Sequence, residues 1–172
     1  LRAYGKVNLG LDVIGRRDDG YHLVSMVMQT VRLFDKLTIT GSKDEGIRLT
    51  TNLDFLPVND NNLVVKAARL LMEEFNIREG VDIYLEKHIP VAAGMAGGSS
   101  DCAAALYGIN RLFDLKLSMN ELMDRGVILG ADVPYCIMRG TALSEGIGEK
   151  LTRLSPMPDC HIVIAKPPVS VS

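Results

Sequence analysis

The chain has 172 residues, 47% of them apolar and 23% charged, with a formal net charge of −2; this is the balance of an ordinary globular domain. With no cluster of Lys or Arg, it lacks the electrostatic footprint of a protein that binds nucleic acid or an anionic membrane, and no apolar run is long enough to predict a transmembrane helix. Cys102, Cys136 and Cys160 are odd in number, widely spaced and free of any C-x-x-C pattern. They predict free thiols in a reducing cytoplasm, not a disulfide framework or a zinc site. The chain opens on Leu1 with no apolar signal-peptide core behind it, and a few residues are expected to precede it.

The segment RAYGKVNLGLDVI alternates, with Ala3, Gly5, Val7, Leu9, Leu11 and Val13 on one side and Tyr4, Lys6, Asn8, Gly10 and Asp12 on the other. That is the period of a half-buried strand. RRDDGY follows as a turn-rich loop around Gly20. HLVSMVMQTVRL and DKLTIT read as two further strands, and IRLTTN as a fourth. LPVNDNN is a loop in which Asn61 or Asn62 can cap a helix over NLVVKAARLLMEEFNI, where apolar residues recur at helical spacing. VDIYLEKHI alternates again and runs into Pro90.

Beyond a glycine-serine run, CAAALYGINRLFDL predicts a second helix. SMNELMDRGVIL predicts a third, opened by a capping box that pairs Ser118 with Glu121 and ended by LGADVP. YCIMRGTALSEGIGEKLTRL reads as strands about a glycine-bearing turn, and CHIVIAK as a last strand. His88 and His161 read as strand-end residues, and the eight methionines as core filler. Strands and helices do not alternate regularly, so the predicted class is α+β and not a doubly wound parallel sheet.

The glycine run carries the strongest chemical signal. PVAAGMAGGSSD joins a strand to a helix through Gly94, Gly97 and Gly98, followed by Ser99 and Ser100. Glycines let the backbone approach a ligand and turn its N–H groups inward, and the first turn of the next helix adds unpaired donors and a positive dipole end. No lysine follows Gly98, so this is not a Walker A loop, and adjacent Gly97 and Gly98 break the Rossmann spacing. The bland reading is a turn in which Ser99 or Ser100 serves as an N-cap. Two small-residue clusters, two serines and a run of alanines favour phosphate. Asp101 beside phosphates would repel them, so it is expected in the first helical turn, pointing away from the ligand.

PVAAGMAGGSSD also resembles the second signature of the GHMP kinases, the family of galactokinase, homoserine kinase and the mevalonate kinases. Three further segments, AYGKVNLGLDVIGRRDDGYHLV, NDNNLVVKAARLL and LGADVPYCIMRGTALSEGIGE, resemble the branch that serves the non-mevalonate route to isoprenoid precursors. The resemblance covers essentially the whole chain. It implies the α+β fold of a GHMP-kinase N-terminal domain, a ribosomal-protein-like two-layer arrangement of a sheet with helices. It also implies ATP-dependent phosphorylation of a hydroxyl on the methylerythritol part of a small substrate carrying cytidine diphosphate, with magnesium accompanying the ATP.

The resemblance assigns roles position by position. Lys6 and Asp132 match a catalytic pair, Asn8 a substrate-side polar group, and Tyr21 and His22 the residues that hold the cytosine. Pro90, Val91, Ala92, Ala93, Gly94, Met95, Ala96, Gly97, Gly98, Ser99 and Ser100 match the ATP loop. Asn62, and with a looser match Lys87, fall near the adenine. Taken alone, Lys6 and Asn8 equally read as the wet face of a strand, Asp132 as a helix cap or turn before Pro134, and Tyr21 with His22 as a surface loop. No metal ligand is assigned.

The expected organisation is an N-terminal ATP-binding domain over 1–165 and the start of a linker over 166–172, with the family's C-terminal ferredoxin-like domain absent and the fragment alone poorly active. No nucleic-acid or membrane partner is expected. Competing readings are another GHMP kinase of homoserine or mevalonate type, a non-catalytic nucleotide-binding module, and a ribosomal-type RNA-binding domain, which the net charge disfavours.

Overall fold

A computed structural model describes residues 1–16, 20 and 22–166. Two long strands, β1 (Arg2–Arg16) and β2 (His22–Ser42), form an antiparallel hairpin that runs from the Arg2–Lys36 pair to the Arg16–His22 pair. HLVSMVMQTVRL and DKLTIT, expected as two strands, are therefore one: Phe34 and Asp35 stay paired with Tyr4 and Ala3, and no turn residue lies between the two segments. The length of β2 lets it serve three partners. β1 takes most of it, while β4 (Gly80–Glu86) pairs with residues 36–42 and β5 (Thr141–Gly146) with residues 24–29, both antiparallel.

β3 (Ile47–Thr51) pairs parallel to β4, and α1 (Leu63–Glu74) forms the crossover between them. β6 (Lys150–Arg153) closes the six-stranded sheet beyond β5. The remaining helices are α2 (Gly97–Leu112), α3 (Met119–Leu129) and α4 (Val133–Met138). Helices and sheet form two layers, and the α+β expectation holds.

The core lies between those layers. Asn62 caps α1 by accepting from the Val64 N–H at 2.9 Å, and Val64, Val65, Ala67, Ala68, Leu71 and Met72 make its buried stripe. Ala103, Ala104 and Ala105 let α2 lie close to its neighbours, and Met28, Leu37, Ile83 and Leu85 meet the helices from the sheet. Each such aliphatic side chain, fully buried, contributes about 1.5–3 kcal/mol. The capping box of α3 forms as expected, with Ser118 and Glu121 satisfying each other's backbone N–H groups.

Three expectations need correction. The YCIM segment, expected as strand, belongs to α4: Val133, Pro134, Tyr135, Cys136 and Ile137 are all buried, with proline at the helix start. A continuously buried run shows no period from which helix and strand could be told apart. CHIVIAK is not a strand among the described residues; it pairs with no edge, and Val163 is 94% exposed. A β-branched run forms a strand only where a neighbour is free to pair. In β1, register shifts between Tyr4 and Lys6, Asn8 and Gly10, and Val13 and Gly15 break the expected alternation. Leu9, Leu11 and Val13 end up exposed, while Lys6 turns inward and is only 5% exposed.

Candidate active site

The chain between β4 and α2 is shaped by residues on the left-handed side of backbone space. Ala92, Gly94 and Ala96 have φ of 55°, 68° and 53°. Left-handed residues at alternate positions turn successive N–H groups toward one side, the geometry of an anion nest. For Ala92 and Ala96 the conformation costs about 1–2 kcal/mol each, so the surrounding packing holds the loop in place.

Helix α2 begins at Gly97, earlier than expected, and its N-cap is the left-handed Ala96, with no side-chain cap hydrogen bond. Neither serine is the N-cap. The first-turn N–H groups, including that of exposed Gly98, have no side-chain cap among the described residues. The loop walls a cavity of about 370 Å³ together with Leu56, Pro57, Asn62, Leu63, Leu85 and Lys87. Asn62 therefore both caps α1 and lines the cavity, its amide nitrogen donating to the Pro57 carbonyl at 2.8 Å.

The loop is fastened to β1 at two points. The backbone N–H of Lys6 donates to the Met95 carbonyl at 3.0 Å, and the Ser100 hydroxyl donates to the Tyr4 carbonyl at 2.6 Å. Met95 is buried in a small cluster with Val31 and Ile89. Gly5 permits this approach, since a Cβ there would meet Ile89 Cδ1 at 3.3 Å and Met95 Cε at 3.4 Å.

The inward turn of Lys6 brings its ammonium to 3.8 Å from Asp132 Oδ2, while Nζ donates to Asn8 Oδ1 at 3.0 Å. Asp132 stands at the N-cap position of α4 but makes no capping hydrogen bond; its carboxylate faces Lys6. Helix α4 is held by Tyr135, whose hydroxyl donates to the Gly140 carbonyl at 2.7 Å and lies 3.1 Å from Thr30 Oγ1. Burial pushes the Tyr135 phenol up to about 12. Ser99 lies on the same side, since a Cβ built on Gly130, two residues before Asp132, would be 4.0 Å from its Oγ.

Beneath the loop lies a buried ionic cluster that the sequence reading did not assemble. Lys87 Nζ bridges Asp35 Oδ2 and Asp101 Oδ2, the latter at 2.6 Å. Asp35 Oδ1 accepts from the backbone N–H groups of His88 at 2.5 Å and Ile89 at 2.7 Å. Asn52 clamps the Lys87 backbone through both its N–H and its carbonyl. Asp101 is 2% exposed, beyond the first turn of α2, and turned onto Lys87, which corrects the expectation of a first-turn role. Burial, opposed by Lys87, raises its carboxyl to about 8. An aspartate such as Asp35 in mid-strand, where β propensity disfavours it, was the available signal for this cluster.

The structure thus brings together Lys6, Asn8, Asp132 and the 90–100 loop, with Asn62 and Lys87 on the cavity wall. His22 is exposed at the outer end of the hairpin, and Tyr21 lies outside the described residues. His88 pairs with Glu86 at 2.9 Å.

Residues 62–140 match the GHMP kinases N terminal domain. Among its relatives, it is 64% identical over 172 residues to a protein of Lachnospira eligens named 4-diphosphocytidyl-2-C-methyl-D-erythritol kinase, covering 100% of this chain and 60% of that one. The identically named protein of Lachnoclostridium phytofermentans is 60% identical, covered over 59% of its length. A crystal structure of 4-(cytidine 5'-diphospho)-2C-methyl-D-erythritol kinase matches with a TM-score of 0.78 at 36% identity, over 90% of this chain and 55% of that one. The chain spans about 60% of the length of the curated relatives it matches.

Proposed function

We propose that the protein transfers the γ-phosphoryl group of ATP to a hydroxyl of 4-diphosphocytidyl-2-C-methyl-D-erythritol, in the non-mevalonate supply of isoprenoid precursors. The observation that carries this reading is the Lys6–Asp132 pair at 3.8 Å, formed between β1, to which the uncapped glycine loop is fastened, and the start of α4. Phosphoryl transfer asks mainly for positioning, charge stabilisation and a group to take the hydroxyl proton. The N–H groups of the loop and the first turn of α2 receive the phosphates, and the cavity wall at Asn62, Leu63 and Leu85 receives the base.

Asp132 takes the proton from the acceptor hydroxyl as its oxygen bonds to the γ-phosphorus and the bond to the bridging oxygen of ADP breaks. Lys6 stabilises the negative charge spread over the transferring group and holds Asp132 in place. Asn8, bonded to Lys6, is oriented toward the acceptor side, and Tyr21 and His22 are the proposed contacts for the cytosine. Magnesium supplies charge neutralisation and arrives on the ATP phosphates, retaining water as that ion does. Among the described residues no group of three His, Cys, Asp or Glu side chains is arranged to hold a metal. The free thiols Cys102, Cys136 and Cys160 suit a reducing cytoplasmic setting, and no helix among the described residues is long and apolar enough to cross a membrane.

The test is an ADP-release assay of the intact protein with ATP and each candidate acceptor. The cytidine-diphosphate substrate should turn over with kcat/KM at least about a hundredfold above homoserine or mevalonate. Preference for either of those would overturn the substrate assignment, and absence of transfer to all three would overturn the kinase reading.

A further inference from the structure

Asp101 stands out because half of its carboxylate is unaccounted for. Oδ2 accepts from Lys87, but Oδ1 is buried with no hydrogen-bond partner among the described residues. A buried polar atom left alone is costly and calls for an explanation. Its position supplies one. Lys87 Nζ, which Asp101 holds, lies directly beneath the loop: a Cβ built on Gly97 would be 3.2 Å from it. Asp101 and Lys87 both line the loop cavity. With both carboxylates ionised, the Asp35–Lys87–Asp101 cluster carries one net negative charge under the anion-binding end of α2. With a proton on Oδ1 it carries none.

We propose that Asp101 is a positioning residue for the phosphate loop, acting through Lys87, and that its free Oδ1 takes up a proton as a polyphosphate settles over Gly97 and Gly98. The inference rests on the reading of this loop as a nucleotide site. Protonation removes the repulsion that a carboxylate under bound phosphates would cause, while Oδ2 keeps its grip on Lys87, so the loop's support does not change. The free carboxyl, raised to about 8, is poised to respond.

No other group packed around it duplicates this behaviour. Asp35 on β2 is bound by Lys87 and by two backbone N–H groups. On α2, burial raises the neighbouring Cys102 thiol to about 12, and on α4 burial raises Cys136 further still. Lys6 on β1 is engaged by Asn8 and Asp132. α1 keeps Lys66, Arg69, Glu73 and Glu74 in solvent, and α3 does so with Glu121 and Asp124.

The test is calorimetric titration of the intact protein with magnesium and a non-hydrolysable ATP analogue from about pH 7 to about 9.5, in buffers of differing ionisation enthalpy. Phosphate groups, with a second ionisation at about pH 6, are already about nine-tenths charged at pH 7 and more so above it. The proposal expects partial proton uptake on binding and an affinity that falls about threefold to tenfold as pH rises. Asp101→Asn, which keeps an acceptor for Lys87 and cannot ionise, should bind with one affinity across the range and without that uptake. An Asn variant retaining the wild-type proton uptake and pH slope would overturn the proposal. Failure of the wild type to bind the analogue at any pH would instead overturn the nucleotide reading on which it stands. Should the variant not fold, carbon-detected NMR of the wild-type Asp101 carboxyl decides. Titration near 8 that moves upward with analogue supports the coupling, and titration near about 4, the ordinary aspartate value, with and without analogue overturns it.

Discussion

Lys6 on β1 and Asp132 at the start of α4 face each other across 3.8 Å, and the Lys6 backbone N–H is itself tied to the Met95 carbonyl of the glycine loop. One residue thus links the proposed base to the proposed phosphate site. Lys6→Met keeps the buried stem and removes only the charge. It should lower kcat by about a hundredfold to ten-thousandfold, with KM for ATP within about threefold, because the lost stabilisation belongs to the transition state. Steady-state kinetics of the intact protein measure the split. A variant that loses ATP affinity instead would mark Lys6 as a ground-state phosphate ligand.

Two glycines of the loop separate strain from space. A Cβ at Gly97 would lie 3.2 Å from both Lys87 Nζ and Ile89 Cγ2, so Gly97→Ala presses on the ionic cluster from above. It should raise KM for ATP about tenfold and cost about 1–3 kcal/mol of stability. Gly94→Ala meets nothing within 4 Å but must hold a φ of 68°. Its cost should be about 1 kcal/mol of backbone strain, with a smaller effect on KM. Equal effects from the two variants would contradict this distinction.

The placement of Asp132 depends on how α3 and α4 pack. A Cβ on Gly126 would come within 2.8 Å of Val133 Cγ1 and 3.3 Å of Ile137 Cδ1. Gly126→Ala should therefore push α4 outward, costing about 1–3 kcal/mol and lowering kcat more than it raises KM for ATP. Denaturant unfolding and kinetics check the two effects independently.

Stability should also depend on pH through Asp101. Its carboxyl is raised from 3.8 to about 8 in the folded chain, so the folded state holds the proton more tightly than the unfolded one. The resulting stabilisation is present at acid pH and is lost as pH rises through that interval. Glu74, held low by Arg125, contributes in the opposite sense and loses its share as pH falls. The wild type minus Asp101→Asn difference isolates the first term. Unfolding at pH 5 and at pH 9 should show the Asn variant gaining on the wild type at the higher pH; a difference independent of pH would contradict the assignment.

Much of this was legible in the sequence where a local rule acts alone. A cap at Asn61 or Asn62, the Ser118–Glu121 box and the apolar stripe of α1 follow from helix chemistry over a few residues. The glycine loop stood out by composition as a candidate anion site, and LGADVP marked the end of α3. What the sequence concealed depended on distant partners. The bulge after Tyr4 that turns Lys6 inward exists only against β2, and α4 hid because five of its six residues, Val133 to Ile137, are buried in succession and show no period. CHIVIAK showed that an apolar, β-branched run does not itself supply a strand to pair with. The Asp35–Lys87–Asp101 cluster draws one residue each from β2, the end of β4 and α2, so no spacing in the chain could reveal it.

The most direct measurement is the single-turnover rate of phosphoryl transfer by intact Asp132→Asn protein, with ATP and the cytidine-diphosphate substrate both saturating. The isosteric amide keeps the size of the side chain and its place at the start of α4 but cannot take the hydroxyl proton. The predicted result is a rate reduced by about a thousandfold to ten-thousandfold, with nucleotide affinity within about threefold of wild type. A rate within about threefold of wild type would remove Asp132 from the chemistry and contradict the account of the site.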